Sequence, residues 1–189
     1  PSKARNFGVS KAKGSWIAFI DADDRWLPDK LDEQVRLVLS HPEFSIVGCE
    51  FSNFKAKKTV DFEQISLISM FFKVRIYTST AMVKKMILER YKFDEEQRYS
   101  EDARLWIQIM AEYKAAVLLK GLVVYAENNQ LSPERLSQQF WKMEKGELSN
   151  FIFFYKKGTI GLLLFVVLSA YSLLKYCKRI ILNKLKMIF

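Results

Sequence analysis

The stretch Trp16–Leu31, WIAFIDADDRWLPDKL, constrains this chain more than any other. Its first five residues, Trp16–Ile20, are apolar and read as a buried parallel strand bounded by Gly14 and by aspartates. Asp21, Asp23 and Asp24 then fall within four positions. Three carboxylates this close repel one another unless a cation sits among them. The C-terminal end of a parallel strand is also where α/β sheets bind ligands. A hard divalent ion such as Mg²⁺ or Mn²⁺ takes oxygen ligands, one or two of them protein carboxylates and the rest phosphate and water. The cluster therefore suits a metal–diphosphate. A calcium loop starting at Asp21 would need Gly at its sixth position and Glu at its twelfth, and Trp26 and Asp32 stand there instead. A purely local role, with Asp24 or Asp29 capping the next helix, leaves Asp21 and Asp23 unexplained.

The flanking pattern alternates. Residues 2–12 carry helix formers and end at Lys13–Gly14. Pro28 opens a helix near Asp29–Leu39, with Leu31, Val35, Val38 and Leu39 at helical spacing, and His41–Pro42 closes it. His41, the sole histidine, is expected to be exposed and inert. Phe44–Phe51 is strand-like. Helix, strand, helix, strand argues for an α/β sheet. Further on, Lys55–Lys58 reads as an exposed loop, Ile65–Phe72 as a short helix or strand, and Ile76–Val83 as a β-branched strand. Lys84–Glu89 turns helical, Phe93–Tyr99 is a polar loop, and Ser100 is a good N-cap for a helix to about Tyr113. Ala115–Val124 is one more strand, broken by Gly121, and Pro133–Phe154 is helical.

Charge is unevenly distributed. The chain carries a net +9, yet seven basic residues and no acidic ones follow position 155, which leaves +2 for residues 1–155. A near-neutral body argues against nucleic acid, which wants a basic face on the folded domain. Residues 158–174 are uncharged over a length at the lower limit for spanning a membrane, and the sequence after them interleaves basic residues with Ile, Leu, Met and Phe. Membrane contact is expected of this tail, in spanning or interfacial geometry, ahead of the alternative of a hydrophobic helix packed on the domain. Cys49 and Cys177 lie far apart with no CxxC, which fits a reducing compartment without disulfides.

The run ARNFGVSKAKGSWIAFIDADDRWLPDKL resembles the core of the family 2 glycosyltransferases of bacterial type, an α/β class with the GT-A fold, a mixed sheet with flanking helices. The positions that match are Ala4, Arg5, Asn6, Gly8, Ala12, Gly14, Trp16, Phe19, Asp21, Asp23, Asp24, Trp26, Pro28, Lys30 and Leu31. YSEDARLW, Tyr99–Trp106, resembles the family's ED motif. The resemblance implies a nucleotide-diphosphate sugar as donor, a divalent cation, and a glycan or lipid-linked acceptor. It places Arg5, Asn6 and Asp21 on the nucleotide side, Asp23 on the metal, and Asp102 as general base. Glu101, Trp106, Thr78 and Ser79 fall on the acceptor side. Asp102 and Trp106 are i and i+4 on one helix face, so the indole is expected to hold a sugar ring beside the base. The residues alone leave open a plainer reading, in which Glu101 and Asp102 complement a helix dipole and Trp106 is core.

Two departures stand out. YAENNQLS, Tyr125–Ser132, carries Ala126 and Asn128 where the family often has Arg and His. The family's opening strand and the acidic motif that binds the base are not found in this sequence, which does not start with Met, so an N-terminally truncated chain is expected. The expected division is residues 1–132 as the C-terminal part of a catalytic domain, 133–157 as a helical linker and 158–189 as a membrane-associated tail. The expected activity is inverting sugar transfer at the cytoplasmic face of the bacterial cytoplasmic membrane, for cell-surface polysaccharide. An inactive remnant or a membrane-binding accessory is the alternative.

Overall fold

The computed structural model describes residues 1–53, 60–125 and 139–188, with side chains through Asn183. The expectations at Lys55–Lys58, at Ala126–Ser132 and at 133–138 lie outside the described residues. The chain forms two compact units, Pro1–Glu95 with Asp102–Gln130, and Glu96–Glu101 with Leu131–Phe189.

The first unit is built on a mixed sheet. β3 (Phe44–Phe51) and β6 (Lys114–Val124) run parallel at its centre and are largely buried, as a doubly covered pair must be. β5 (Met82–Lys84) is antiparallel to β3, and β1 (Trp16–Ala18) is antiparallel to β5. On the other side of β6, β4 (Phe62–Ile65) pairs with Ala115–Leu118 and β2 (Arg25–Trp26) pairs with Val123 and Val124. The strand expected at Trp16–Ile20 is thus shorter, and its described neighbour is antiparallel, since an apolar run carries no information on direction. It does run the same way as β3 and β6, because two antiparallel steps separate it from β3. The carboxyl ends of β1, β3 and β6 therefore meet at one end of the sheet.

At that end β6 bulges. Glu50 faces Gly121 and Phe51 faces Val123, with a register shift before each. A Cβ on Gly121 would come 2.7 Å from the Phe51 carbonyl oxygen, so this position excludes a side chain. The break expected at Gly121 is a bulge within one strand.

The helices α1 (Ser2–Lys11), α2 (Lys30–Ser40), α4 (Lys85–Arg90) and α5 (Glu101–Met110) follow the expected order. Residues Ile65–Phe72 divide between the end of β4 and α3 (Leu67–Phe72), which Ser66 caps through its hydroxyl on the Ser69 N–H, at 3.1 Å. The expected strand Ile76–Val83 is mostly something else. Thr78–Thr80 form a 3-10 turn, closed by Thr80 Oγ1 accepting from the Tyr77 N–H at 2.9 Å and by the Thr80 N–H on the Tyr77 carbonyl at 3.0 Å. Short hydroxyl side chains compete with ladder bonds in this way.

α2 corrects a second expectation. Leu31, Val35 and Leu39 of its apolar stripe are exposed, while Lys30, Gln34, Leu37 and Val38 are buried. The Lys30 ammonium lies 4.1 Å from the Trp26 ring centroid and donates to Gln34 Oε1 at 2.7 Å. Gln34 Nε2 in turn donates to the carbonyls of Thr80, at 2.9 Å, and Val47, at 3.3 Å. A buried polar group is tolerated once it is hydrogen-bonded, and hydropathy spacing cannot foresee such partners. His41 is also unlike its expectation: half-buried, it packs edge-on against Phe62, with centroids 4.6 Å apart.

In the second unit α6 (Phe140–Lys156) packs against α7 (Leu162–Ile188). Gly158, at φ +74°, terminates α6 in the left-handed conformation that favours glycine. Phe151, Phe154, Ile160 and Leu168 are buried, and the Ser172 hydroxyl donates to the buried Glu144 carboxylate at 2.7 Å. The apolar and basic segments expected as separate parts of a tail form one continuous helix, grouped with α6. Among the described residues no helix is long and apolar enough to cross a membrane.

Candidate active site

The aspartate loop leaves the carboxyl end of β1 as a tight turn, with the Asp24 N–H on the Asp21 carbonyl at 3.0 Å. Asp23 sits exposed at the apex. Asp21 is held twice: its N–H donates to Ser79 Oγ at 2.9 Å, and its Oδ1 accepts from Arg5 Nη2 at 2.8 Å. Arg5 in turn lies over the Phe93 ring, 5.3 Å from the centroid. Asn6 clamps the loop after α4. Its amide donates to the Phe93 carbonyl at 2.9 Å, and its oxygen accepts from the Phe93 N–H at 3.0 Å. Asp29 occupies the N-cap position of α2, but its side chain caps no N–H.

The second carboxylate arrives on α5. Asp102 Oδ2 accepts from the Thr78 hydroxyl at 3.2 Å and Oδ1 from the Ala103 N–H at 2.7 Å. Ser100, before the helix, takes φ +57° in place of the extended backbone of an ordinary N-cap. One 3-10 turn thus touches both halves of the site: Thr78 holds Asp102, and Ser79 holds the Asp21 backbone. The Ser79 carbonyl also accepts from Trp26 Nε1 at 2.8 Å, and the Thr80 carbonyl accepts from Gln34. Sequence reasoning singled out Thr78 and Ser79 but missed the turn they form and its supports, Trp26, Lys30 and Gln34, although Trp26 and Lys30 stand in the quoted motif. Thr78 and Ser79 are buried with their hydroxyls engaged inside the protein, on the Asp102 carboxylate and the Asp21 N–H.

Trp106 is fully buried, against Phe19 at 5.9 Å and Phe93 at 5.5 Å between centroids. It offers no face to a sugar, which corrects its expected role as a platform. Among the described residues its indole N–H has no hydrogen-bond partner. Glu101 is buried at the first position of α5 and is grouped with the second unit.

Among the described residues no three His, Cys, Asp or Glu side chains converge on a point that could hold a metal. A protein-caged ion does not fit this loop. The exposed Asp23 does fit the other common pattern, one carboxylate completed by phosphate and water oxygens. Buried charge lies behind the site. Burial brings the Lys30 ammonium down to about 8 and pushes the Cys49 thiol up to about 12. Both cysteines are free thiols.

The model of glycosyl transferase family 2 matches residues 1–98. The chain belongs to that family. This family 2 chain is 28% identical to the uncharacterized glycosyltransferase MJ1057 of Methanocaldococcus jannaschii, over 91% of its own length and 67% of the relative's. It is 25% identical to the UDP-Glc:alpha-D-GlcNAc-diphosphoundecaprenol beta-1,3-glucosyltransferase WfgD of Escherichia coli, over 64% of its own length and 48% of WfgD. In fold it resembles residues 1–349 of S. aureus TarS, with a TM-score of 0.61, 16% identity, and 92% of this chain on 50% of that one. It also resembles the mannosyltransferase PcManGT of Pyrobaculum calidifontis, solved with GDP-Man and Mn²⁺, with a TM-score of 0.57, 18% identity, and 91% of this chain on 48% of that one. These likenesses agree with the GT-A sheet described above. The chain spans only 26% of a relative from Rickettsia bellii and 48% and 62% of two from Haemophilus influenzae.

Proposed function

We propose that this protein moves a sugar from a nucleotide-diphosphate sugar to a glycan or lipid-linked acceptor, with inversion at the anomeric carbon, in cell-surface polysaccharide synthesis. The observation that carries this reading is the 3-10 turn whose neighbouring hydroxyls bind the Asp21 backbone and the Asp102 carboxylate. It ties a nucleotide-side group and a base to one short turn.

Asp102 accepts the acceptor's hydroxyl proton. The freed oxygen attacks the anomeric carbon in line, and the bond to the diphosphate breaks with its electron pair leaving on the phosphate. Thr78 fixes the carboxylate's orientation, and Arg5 and Asn6 set the nucleotide side by holding Asp21 and the Phe93 loop. A divalent cation on Asp23, Mg²⁺ or Mn²⁺, would supply charge neutralisation for the leaving diphosphate. Asp102→Asn is expected to lower transfer by about 10²–10⁴-fold while nucleotide-sugar binding by calorimetry persists. Transfer at the wild-type rate would overturn the assignment.

The same reading places the protein at the cytoplasmic face of the bacterial membrane, through α7. Leu163, Val166, Val167 and Leu174 are exposed on that helix together with Lys178. Apolar side chains mixed with cations favour an anionic lipid surface, in interfacial geometry. Sedimentation with phosphatidylglycerol vesicles, but not with phosphatidylcholine vesicles, is the expected result. Nucleic acid is not a partner in this reading.

A further inference from the structure

The carboxyl end of the sheet holds a group that the mechanism above does not use. Phe51 is the last residue of β3 and Tyr125 follows the last residue of β6, so both rings stand at the end where Asp21 leaves β1. They are stacked, with centroids 3.9 Å apart and planes 10° from parallel. Tyr77 adds a third ring, tilted by 58° with its centroid 5.5 Å from Phe51. The residue after Tyr77 is Thr78, whose hydroxyl binds Asp102. Burial raises the Tyr77 phenol pKa, and the Asp102 charge nearby raises it further.

Phe51 packs against the core, but the two tyrosines beside it are unlike the sheet's apolar residues. Tyr77 is 38% exposed and Tyr125 is 42% exposed, whereas Ile46, Val47 and Val83 are buried completely. Exposing neighbouring aromatic surface forgoes burial energy, and a contiguous apolar patch beside a polar site marks a place for a ligand. Backbone hydrogen bonds hold the chain at Tyr77 and next to Phe51. Tyr77 is pinned by the 3-10 turn, and the Ser52 N–H after Phe51 donates to the Val123 carbonyl at 2.8 Å. A ring already ordered loses little entropy on binding.

We propose that Tyr77, Phe51 and Tyr125 form the stacking platform for the acceptor's pyranose ring. The inference rests on the sugar-transfer reading. A pyranose presents C–H groups on its faces and hydroxyls at its rim, so an aromatic face matches the first and a carboxylate the second. Because Tyr77 borders Asp102, a ring lying here brings rim hydroxyls toward the base. The donor's nucleoside is the competing occupant; Arg5 and Asn6, which mark that side, hold Asp21 and the Phe93 loop.

Two measurements on the natural protein containing this chain test the platform. Saturation-transfer NMR with methyl β-D-glucopyranoside, methyl N-acetyl-β-D-glucosaminide and methyl α-D-mannopyranoside reads sugar contact without turnover. Signal is expected with at least one glycoside, to fall about tenfold in Tyr77→Ala and Tyr125→Ala, and to return in Tyr77→Phe and Tyr125→Phe. The second is steady-state kinetics on the same variants. Acceptor KM should rise about tenfold in the alanine variants while donor KM holds. Wild-type binding in both alanine variants, no glycoside signal at all, or a rise in donor KM in place of acceptor KM would each overturn the platform. Absence of any transfer by the wild type would instead count against the sugar-transfer reading, and the NMR result would still decide the platform.

Discussion

Helices α2 and α7 both turn large apolar side chains to solvent, and the reasons differ. On α2 the inward face is partly polar. Lys30 and Gln34 are buried because Trp26 and the carbonyls of Val47 and Thr80 need them, so Leu31, Val35 and Leu39 are left outside. On α7 the inward face is spent on α6 through Leu168 and Ser172, and the apolar residues outside are a surplus. The first helix gives up apolar burial to hold a turn that carries the site. The second keeps an apolar surface that no described residue of its own unit covers. Exposed leucines thus mean a displaced core face in one case and an unused face in the other.

The largest expected effect breaks the α2 side of this comparison. Lys30 titrates at about 8 in the folded chain and near its ordinary 10.5 when unfolded. Below pH 8 both states are charged and folding bears the cost of burying the ammonium. Between pH 8 and 10.5 the folded state has lost the proton that the unfolded state still binds, so, against an opposing trend from the Cys49 thiol held up at about 12, the Lys30 contribution to stability rises with pH. The gain is about 3 kcal/mol across the window. Denaturant melts of wild type and Lys30→Met over this range should diverge by that amount, and parallel curves would refute the buried charge.

A smaller loss is expected from Gln34→Leu. It leaves the Thr80 and Val47 carbonyls without their donor and should lower stability by about 2 kcal/mol. Transfer should fall as well, because the freed turn also holds Asp21 and Asp102. A destabilised variant with unchanged kcat would mean that the network supports only the fold.

The smallest effects sharpen the contrast. Leu39 is 77% exposed and Leu174 70% exposed, and replacing either with Ser should alter stability by no more than about 0.5 kcal/mol. Only Leu174→Ser, combined with Leu163→Ser, is expected to weaken sedimentation with anionic vesicles. Equal weakening by Leu39→Ser would erase the proposed difference between the helices.

Much of the site was legible because it is local in sequence. The aspartate turn lies within four residues, and Asp102 stands in the first turn of a helix that the pattern anticipated. The platform was not legible, since Phe51, Tyr77 and Tyr125 come from three separate elements and meet only where strand ends converge. Trp106 misled for the same reason. Its i+4 spacing from Asp102 is real, but spacing on one helix does not say whether Phe19 and Phe93 cover the outer face. The Tyr77–Thr80 turn was hidden inside a run of β-branched residues, where hydroxyl bonds to the local backbone outweighed strand propensity.

Local chemistry is therefore what the sequence by itself determined: an acidic loop after a strand, a carboxylate opening a helix, and membership of a sugar-transferring family. Only the tertiary structure decided which groups act together. The bridge from Asp21 through Ser79 and Thr78 to Asp102, the polar inward face of α2 and the cluster of rings near Asp102 all depend on long-range hydrogen bonds and packing. Side-chain periodicity records which residues can be buried, whereas the partners that satisfy a buried polar group or leave a ring uncovered are set by the fold.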